Sequence, residues 1–95
     1  MRFEWDTEKE KINIIKHKMD FKTAALLFND ENRIEYYDDE HSQNEDRYKA
    51  IGLIGKTLMV ATVVFTERGE SIRIISARKA TEKERRLYYD NYAGY

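Results

Sequence analysis

The second half of the chain carries hydrophobic and polar residues in patterns that predict an antiparallel sheet. Residues 47–54 alternate, with Tyr48 and Ala50 on one face and Arg47, Lys49 and Ile51 on the other. Residues 57–66 are almost continuously apolar, as expected of a central strand that is covered on both faces. Glycine-containing segments separate these strands from each other and from a third strand that begins at Ile72, so both connections are predicted to be tight hairpin turns.

The last predicted strand leads directly into a helix. Alternation within it places Ile72, Ile74 and Ser76 on one face and the residues between them on the other. Thr81 and Glu84 then have the spacing of a capping box, in which each side chain bonds to the backbone N–H of the other residue. These two residues are therefore predicted to be the structural cap of a C-terminal helix.

Two helices are predicted in the first half of the chain. Asp6 and Asp20 precede helical segments as N-cap residues, and the first helix should end just before the second begins. Ile12, Ile15 and Met19 fall at helical spacing on an otherwise charged segment. This apolar stripe is predicted to be the one face by which the first helix packs.

Two shorter strands complete the predicted fold. Phe3 and Trp5 alternate with charged residues before the first helix, and residues 33–38 are rich in side chains that favour strands. The elements follow one another in the order β-α-α-β-β-β-β-α. The predicted class is α+β, an antiparallel β-sheet meander with two N-terminal helices and one C-terminal helix.

Length and composition limit the architecture further. With 95 residues and no Pro or Cys, the chain is expected to form one domain over residues 1–95 with a single modest core. The absence of cysteine excludes a disulfide scaffold and a Cys-ligated metal. No apolar run has the character of a signal peptide or the length of a membrane span, so a cytoplasmic protein without a membrane partner is expected.

Charge is distributed unevenly along the chain. Residues 1–50 carry nine Lys/Arg against thirteen Asp/Glu, a net of −4, whereas residues 51–95 carry eight against five, a net of +3. The overall net charge of −1 argues against a protein that coats nucleic acid nonspecifically. The asymmetry is typical of a protein with one basic working patch, or of a mixed surface on which it has no role.

Five motifs occur in order along the chain. They are FEWD at 3–6, N-x-x-K-H at 13–17, an apolar helix at 21–28, R-Y-K-A-I-G at 47–52 and I-R-I-I-S-A-R-K-A-T-x-x-E at 72–84. Their order and spacing resemble the BrnT family of type II toxin–antitoxin systems. One position departs from that pattern, because the family usually has Gly after the K-H pair and this chain has Lys18. Since Gly is the natural residue for a left-handed helix end, some strain is expected there.

The resemblance implies a RelE-like fold and a metal-independent ribonuclease that uses no cofactor and arrests translation. It also implies a partner, a BrnA-type antitoxin with a ribbon-helix-helix DNA-binding domain. That antitoxin would both mask the toxin and bind operator DNA, so this chain would reach the operator only through its partner.

Cleavage of this kind activates the ribose 2′-OH, and it needs a base, an acid for the leaving oxygen and cations against the charge on the phosphorane. Arginine suits the last task, because its fork matches two phosphate oxygens and stays protonated. The candidates for catalysis are Arg73, Arg78, Glu82, Arg85 and His17. The candidates for RNA binding are Arg47, Lys49, Lys79, Tyr88 and Tyr89, the tyrosines as rings on which bases stack.

Helical geometry ranks the candidates on the last helix. Leu87, its only aliphatic residue, is expected to point inward. Arg85 and Tyr89 then lie about 200° away around the helix and Glu82 about 140° away, so these three share the outer face. Glu84 lies only about 60° from Leu87, which favours a structural role for it.

At several of these positions a purely structural interpretation competes with the catalytic one. Glu82 would equally serve as an exposed carboxylate at a helix start, and His17 as a cation at a helix end. His41 lies in an acidic loop and is expected to be solvated. Two histidines without cysteine do not make a zinc site, and the cluster at 38–40 lacks the spacing of a calcium loop.

Two other function classes remain open at this stage. The first is a catalytically inert module whose basic strand and helix dock an acidic peptide or a ribosomal RNA surface. The second keeps the RelE-like fold but acts on DNA gyrase, which requires no acid–base pair. Cyclic phosphate ends on RNA after incubation in EDTA would favour the ribonuclease over the inert module. DNA damage on expression, with RNA intact, would select the gyrase alternative.

Overall fold

The computed structural model describes residues 1–93. Five strands and three helices follow one another, with a short 3₁₀ turn after the second helix and another after the second strand. Their bounds are β1 Arg2–Glu4, α1 Thr7–His17, α2 Phe21–Ala25, the first 3₁₀ turn Leu26–Asn29, β2 Ile34–Tyr37, the second 3₁₀ turn Asp39–His41, β3 Tyr48–Leu53, β4 Val60–Arg68, β5 Ser71–Lys79 and α3 Glu82–Ala93.

The strands form one sheet in the order β1-β5-β4-β3-β2. Strands β2 to β5 make the expected antiparallel meander, and β1 joins β5 in parallel, which makes the sheet mixed. The α+β class, the element order and the three helices are therefore confirmed. The RelE-like label that the resemblance implies stays a prediction.

Helices cover both faces of the sheet, but unequally. On one face α2 and the first 3₁₀ turn cover the main core, whose largest fully buried side chains include Phe21, Leu27 and Phe65. On the other face α3 covers a second, smaller cluster around Ile51 and Tyr88. The part of this second face that α3 leaves uncovered is called the open face below.

A β-bulge in β5 decides which side chains reach the open face. The pairing of β4 with β5 shifts between Val64 and Phe65, which leaves Ile75 as an extra residue. Beyond the bulge the alternation is inverted, so the buried residues are Ile72, Ile74 and Ala77. The predicted faces of this strand are therefore wrong from residue 75 onward, and Arg73 shares a face with Ser76 and Arg78.

Helix α1 packs by a polar residue rather than by its isoleucines. Ile12 and Ile15 are 56% and 74% exposed, whereas Asn13 is buried. The Asn13 side-chain amide donates to the carbonyl of Ala77 at 2.9 Å and its oxygen accepts from the Ala77 N–H at 3.0 Å. The predicted apolar stripe is thus wrong for both isoleucines, because α1 lies along the edge of β5, where free backbone groups need a hydrogen-bonding partner. Met19, the third member of the stripe, is buried as expected.

The end of α1 carries the strain that its sequence suggested. Lys18 has φ of 59°, the left-handed conformation, and its N–H donates to the carbonyl of Ile14 at 2.9 Å. This conformation costs a residue with a side chain roughly 1–2 kcal/mol, and Gly avoids most of that penalty.

Replacing Lys18 by Gly should therefore raise the free energy of unfolding by roughly 0.5–1 kcal/mol, after allowing for the greater flexibility of Gly in the unfolded chain. The measurement is urea unfolding at pH 7. Lys16→Gly is the matched control, because residue 16 lies inside the helix and the same change there should lower stability by about 0.5–1 kcal/mol. A decrease in both variants would show that the left-handed conformation is not a source of strain.

Candidate active site

The junction between β5 and α3 is built around the predicted capping box. The Thr81 N–H donates to Oε1 of Glu84 at 2.9 Å, and the Glu84 N–H donates to Oγ1 of Thr81 at 3.2 Å. The structural role predicted for these two residues is confirmed. The capping box fixes the Glu84 side chain between the helix and the sheet, where only 14% of the side chain is exposed.

Glu84 also holds Arg78 in a fork-to-fork ion pair. The two terminal nitrogens of Arg78 donate to the two carboxylate oxygens at 2.7 and 3.0 Å, and the Thr62 hydroxyl donates to Oε1 at 3.0 Å. Burial opposes ionisation of Glu84, but the hydrogen bonds from Arg78, the Thr81 backbone and Thr62 outweigh it and lower the pKa to about 2. The hydrogen bond to Glu84 in turn raises the pKa of Arg78, so both charges persist at neutral pH.

Four cationic side chains share the open face of the sheet. Lys49 lies in β3, and Arg47, two positions earlier and just before the strand, is on the same face. The bulge brings Arg73 and Arg78 to this face as well. Two of the four form loose ion pairs, Arg47 with Glu45 at 3.9 Å and Arg73 with Glu4 at 4.0 Å. Four of the ten candidates therefore lie together on this face.

Tyr36 lies on the same face and was missed by the sequence analysis. It pairs with Lys49 across β2 and β3 and is partly exposed. Burial raises the pKa of Tyr36, the nearby carboxylates of Glu84 and Asp38 raise it further, and the charge of Arg78 opposes them. The Tyr36 hydroxyl is therefore within electrostatic reach of the Arg78–Glu84 pair. The alternation of Tyr36 with Tyr37 along β2 could have identified it from sequence, because Tyr37 faces Tyr48 and the core side of the sheet, so Tyr36 faces the other side.

Helix α3 is rotated relative to the sequence-based expectation. Tyr88 is fully buried and Leu87 is 49% exposed, so the inward residue is the tyrosine. The Tyr88 hydroxyl donates to Oδ2 of Asp30 at 2.6 Å, and the Leu53 N–H donates to the same oxygen at 2.9 Å. Tyr88 is thus an anchor of α3 rather than a ring available for stacking, and its proposed role in RNA binding is wrong. A polar tip that needs a buried partner made the tyrosine the better inward residue.

Arg85, Glu82 and Tyr89 do share one face, but it is the flank of α3 turned away from Glu84. Relative to Tyr88 they lie about 60–120° around the helix in one direction, whereas Glu84 lies about 40° in the other. The Arg85 guanidinium lies 5.4 Å from the centre of the Tyr89 ring, and Glu82 pairs with Arg86 at 3.7 Å.

A groove of about 630 Å³ lies on that flank. Lys79, Glu82 and Arg85 line it together with the hydrophobic side chains of Leu58, Met59, Val60 and Ala80. Helix α3 therefore separates candidates that are close in sequence into two surfaces. Arg78 belongs to the open face, whereas Lys79, Glu82 and Arg85 border the groove.

The two histidines have different surroundings. His17 is exposed at the C-terminal end of α1 and lines a shallow depression with Ile12 and Ser76 at the edge of β5. His41 is not simply solvated, as was expected, because its Nδ1 lies 2.9 Å from Oδ2 of the buried Asp38. The i,i+3 spacing of the two residues was the available signal. Within residues 1–93, no three His, Asp or Glu side chains converge as a metal site would require.

A family model describes this chain over residues 5–84, more than four fifths of its length. The description of that family is a ribonuclease toxin, BrnT, of a type II toxin–antitoxin system. The chain belongs to the BrnT family. No curated protein matches it. The BrnT match begins at Trp5 and ends at Glu84, so it includes the open face with its Arg78–Glu84 pair, whereas Arg85 and Tyr89 lie beyond it.

Membership of the BrnT family has two plain consequences. The chain is a member of a toxin family described as ribonucleases, and a type II system implies an antitoxin as its partner. Among the described residues, none of the helices has the length and apolar character needed to cross a membrane.

Proposed function

We propose that this BrnT family member is a metal-independent endoribonuclease that cleaves RNA on the open face and thereby inhibits translation. The observation that carries the proposal is the alignment of Arg47, Lys49, Arg73 and Arg78 on one uncovered sheet face. A row of cations across a sheet follows the phosphates of a single strand, which leaves the bases free to stack on aromatic side chains. Tyr36, which is partly exposed on this face, is the aromatic side chain available for such stacking.

The Arg78–Glu84 pair supports a role in binding phosphate rather than in packing alone. Glu84 engages the two terminal nitrogens of Arg78, and a guanidinium has five N–H donors, so donors remain for a substrate oxygen. The fork is held in one orientation before substrate arrives. A fixed cation stabilises charge that develops in the transition state more effectively than a mobile one.

The partner we propose is a BrnA-type antitoxin with a ribbon-helix-helix domain, which neutralises the toxin by denying RNA the open face. The protein acts in the cytoplasm, where its RNA substrate is translated. Charge pairing at an exposed rim contributes little and is screened by salt, so a tight antitoxin must also bury apolar surface.

Expression of this chain without a partner should halt growth of a bacterial host, and co-expression of the antitoxin should restore it. Purified protein should cleave single-stranded RNA in the presence of EDTA and leave 2′,3′-cyclic phosphate ends. These ends are read by enzymatic end-labelling of the fragments before and after removal of the cyclic phosphate. Intact RNA that nevertheless stays bound would select an inert binding module instead, and DNA damage with intact RNA would select gyrase as the target.

A further inference from the structure

We propose that His41 is the general base of this ribonuclease and that Asp38 orients it. The inference rests on the proposed function, since it names the residue that removes the 2′-OH proton in that reaction. Neither residue was among the sequence-based candidates. The proposal follows from the geometry of the loop between β2 and β3.

The hydrogen bond between these residues fixes the state of the imidazole. Asp38 has 4% of its side chain exposed and His41 has 52%, and they meet at 2.9 Å between Oδ2 and Nδ1. An ionised carboxylate only accepts hydrogen bonds, so Nδ1 carries the proton in the neutral imidazole. Nε2 then has a free lone pair, and the more exposed side chain presents it to solvent. A buried carboxylate that orients an imidazole in this way is the arrangement that general bases use.

The loop that carries His41 is held in place at both ends. The Ser42 hydroxyl donates to the Asp38 carbonyl at 2.6 Å and accepts from the Arg47 N–H at 2.9 Å. Farther along, the Asp46 carboxylate accepts from the Tyr37 hydroxyl at 3.1 Å. These contacts close the loop across β2 and β3, so His41 sits on a defined turn.

A cation lies beside the imidazole. His41 and Arg47 line one depression of about 280 Å³, and the Asp38 N–H donates to the Arg47 carbonyl at 2.8 Å. Arg47 has a buried Nε without a hydrogen-bond partner among residues 1–93.

The carboxylates around the depression are partly compensated. Glu45 lies 3.9 Å from Arg47 and 3.3 Å from Arg68, so two arginines balance its charge. Glu40 lines the same depression as His41, and the buried Asp38 contacts the His41 Nδ1. The depression can therefore accept a phosphate against Arg47 with the imidazole beside it.

The cleavage reaction needs no reactant other than RNA and water. Nε2 of His41 takes the proton of the ribose 2′-OH, the 2′ oxygen forms a bond to phosphorus, and the bond from phosphorus to the 5′ oxygen breaks. The leaving 5′ oxygen takes a proton from water. The products are a 2′,3′-cyclic phosphate and a 5′-OH end, and the imidazolium returns its proton to solvent.

The test compares His41→Ala with wild-type protein on one single-stranded RNA in EDTA. We expect kcat to fall by about 10²- to 10⁴-fold with little change in KM, since general base catalysis contributes on that scale. Added imidazole should restore part of the variant's activity, which a purely structural role would not allow.

Two further variants separate orientation from folding. Asp38→Asn offers an amide donor to Nδ1, which moves the imidazole proton to Nε2, so kcat should fall while RNA binding persists. Asp39→Asn makes the same change at the neighbouring, exposed residue, which does not line the depression, and serves as the matched control for Asp38→Asn. His41→Ala with wild-type kcat would overturn the assignment and leave the ribonuclease standing. Failure of the wild-type protein to cleave RNA at all would overturn both.

Discussion

Arg78→Ala should lower kcat/KM for RNA cleavage by about 10²- to 10³-fold, the scale of losing one fixed donor to a transition-state oxyanion. The side chain faces the open sheet and is held by two hydrogen bonds from its terminal nitrogens to Glu84. Arg78→Lys keeps the charge but loses the fork, so it should recover only a small part of the activity. The measurement is initial cleavage rate at matched concentrations of folded protein, with toxicity in the host as a second readout.

Arg85→Ala is the control for that experiment, because it removes the same side chain from the other flank of α3. Arg85 lies on the Tyr89 ring beside the groove that Leu58 and Met59 line. Its loss should lower activity by less than tenfold, the scale of a surface charge that contributes only to steering. Equal losses in the two variants would show that the RNA path crosses α3 and includes the groove.

The elements that sequence predicted well are those set by neighbouring residues. Asp6 and Asp20 accept from the backbone N–H groups of the first helical turns, as N-caps do. Thr81 and Glu84 form the predicted capping box for the same reason. The alternation of β3 was also right, because a strand without a bulge keeps its period. Each of these signals is contained within a few residues.

The features that sequence did not predict depend on residues far apart. The bulge at Ile75 exists only in the pairing of β4 with β5, and it is what brings Arg73 and Arg78 to one face. The rotation of α3 depends on Asp30, which accepts from the Tyr88 hydroxyl across 58 positions of sequence. Hydrophobicity alone favoured Leu87 as the inward residue, since no local pattern shows that a buried acceptor awaits a tyrosine.

Gly52 contributes to the position of α3, which bounds the open face. Gly52 lies where Asp30 and Leu27 approach β3, and a Cβ at this position would come within 3.1 Å of Oδ2 of Asp30 and 3.2 Å of the Leu27 side chain. This close approach lets Asp30 reach both the Leu53 N–H and Tyr88. The position of α3, and with it the boundary of the open face, is therefore set in part by Asp30 and Gly52, which are far from α3 in sequence.

Glu84→Ala should destabilise the fold more than any other single change considered above. It removes the capping carboxylate and leaves Arg78 without its partner, and breaking a buried ion pair typically costs about 3–5 kcal/mol. Because 32% of the Arg78 side chain is exposed, a loss of about 2–4 kcal/mol is expected here. Activity should fall further than the loss of folded protein explains, since the Arg78 fork is no longer held.

Glu84→Gln isolates the charge from the cap. Gln serves in a capping box as Glu does, so the bond to the Thr81 N–H can persist while the ion pair is lost. The difference in unfolding free energy between wild-type and Gln proteins therefore measures the ionised pair. Thr81→Ala, which removes only the hydroxyl of the cap, should cost about 0.5–2 kcal/mol.

The difference in unfolding free energy between the wild-type and Gln proteins should decrease as the pH falls. The pKa of Glu84 is lowered from 4.5 to about 2 in the folded protein, so its contribution is complete above pH 4.5 and is lost as pH falls toward 2. Between pH 7 and pH 3 the advantage of the wild-type over the Gln protein should shrink by about 2 kcal/mol. Urea unfolding of both proteins at the two pH values gives this number. An advantage that stays constant would mean that hydrogen bonding, and not the charge of the carboxylate, holds Arg78 at the open face.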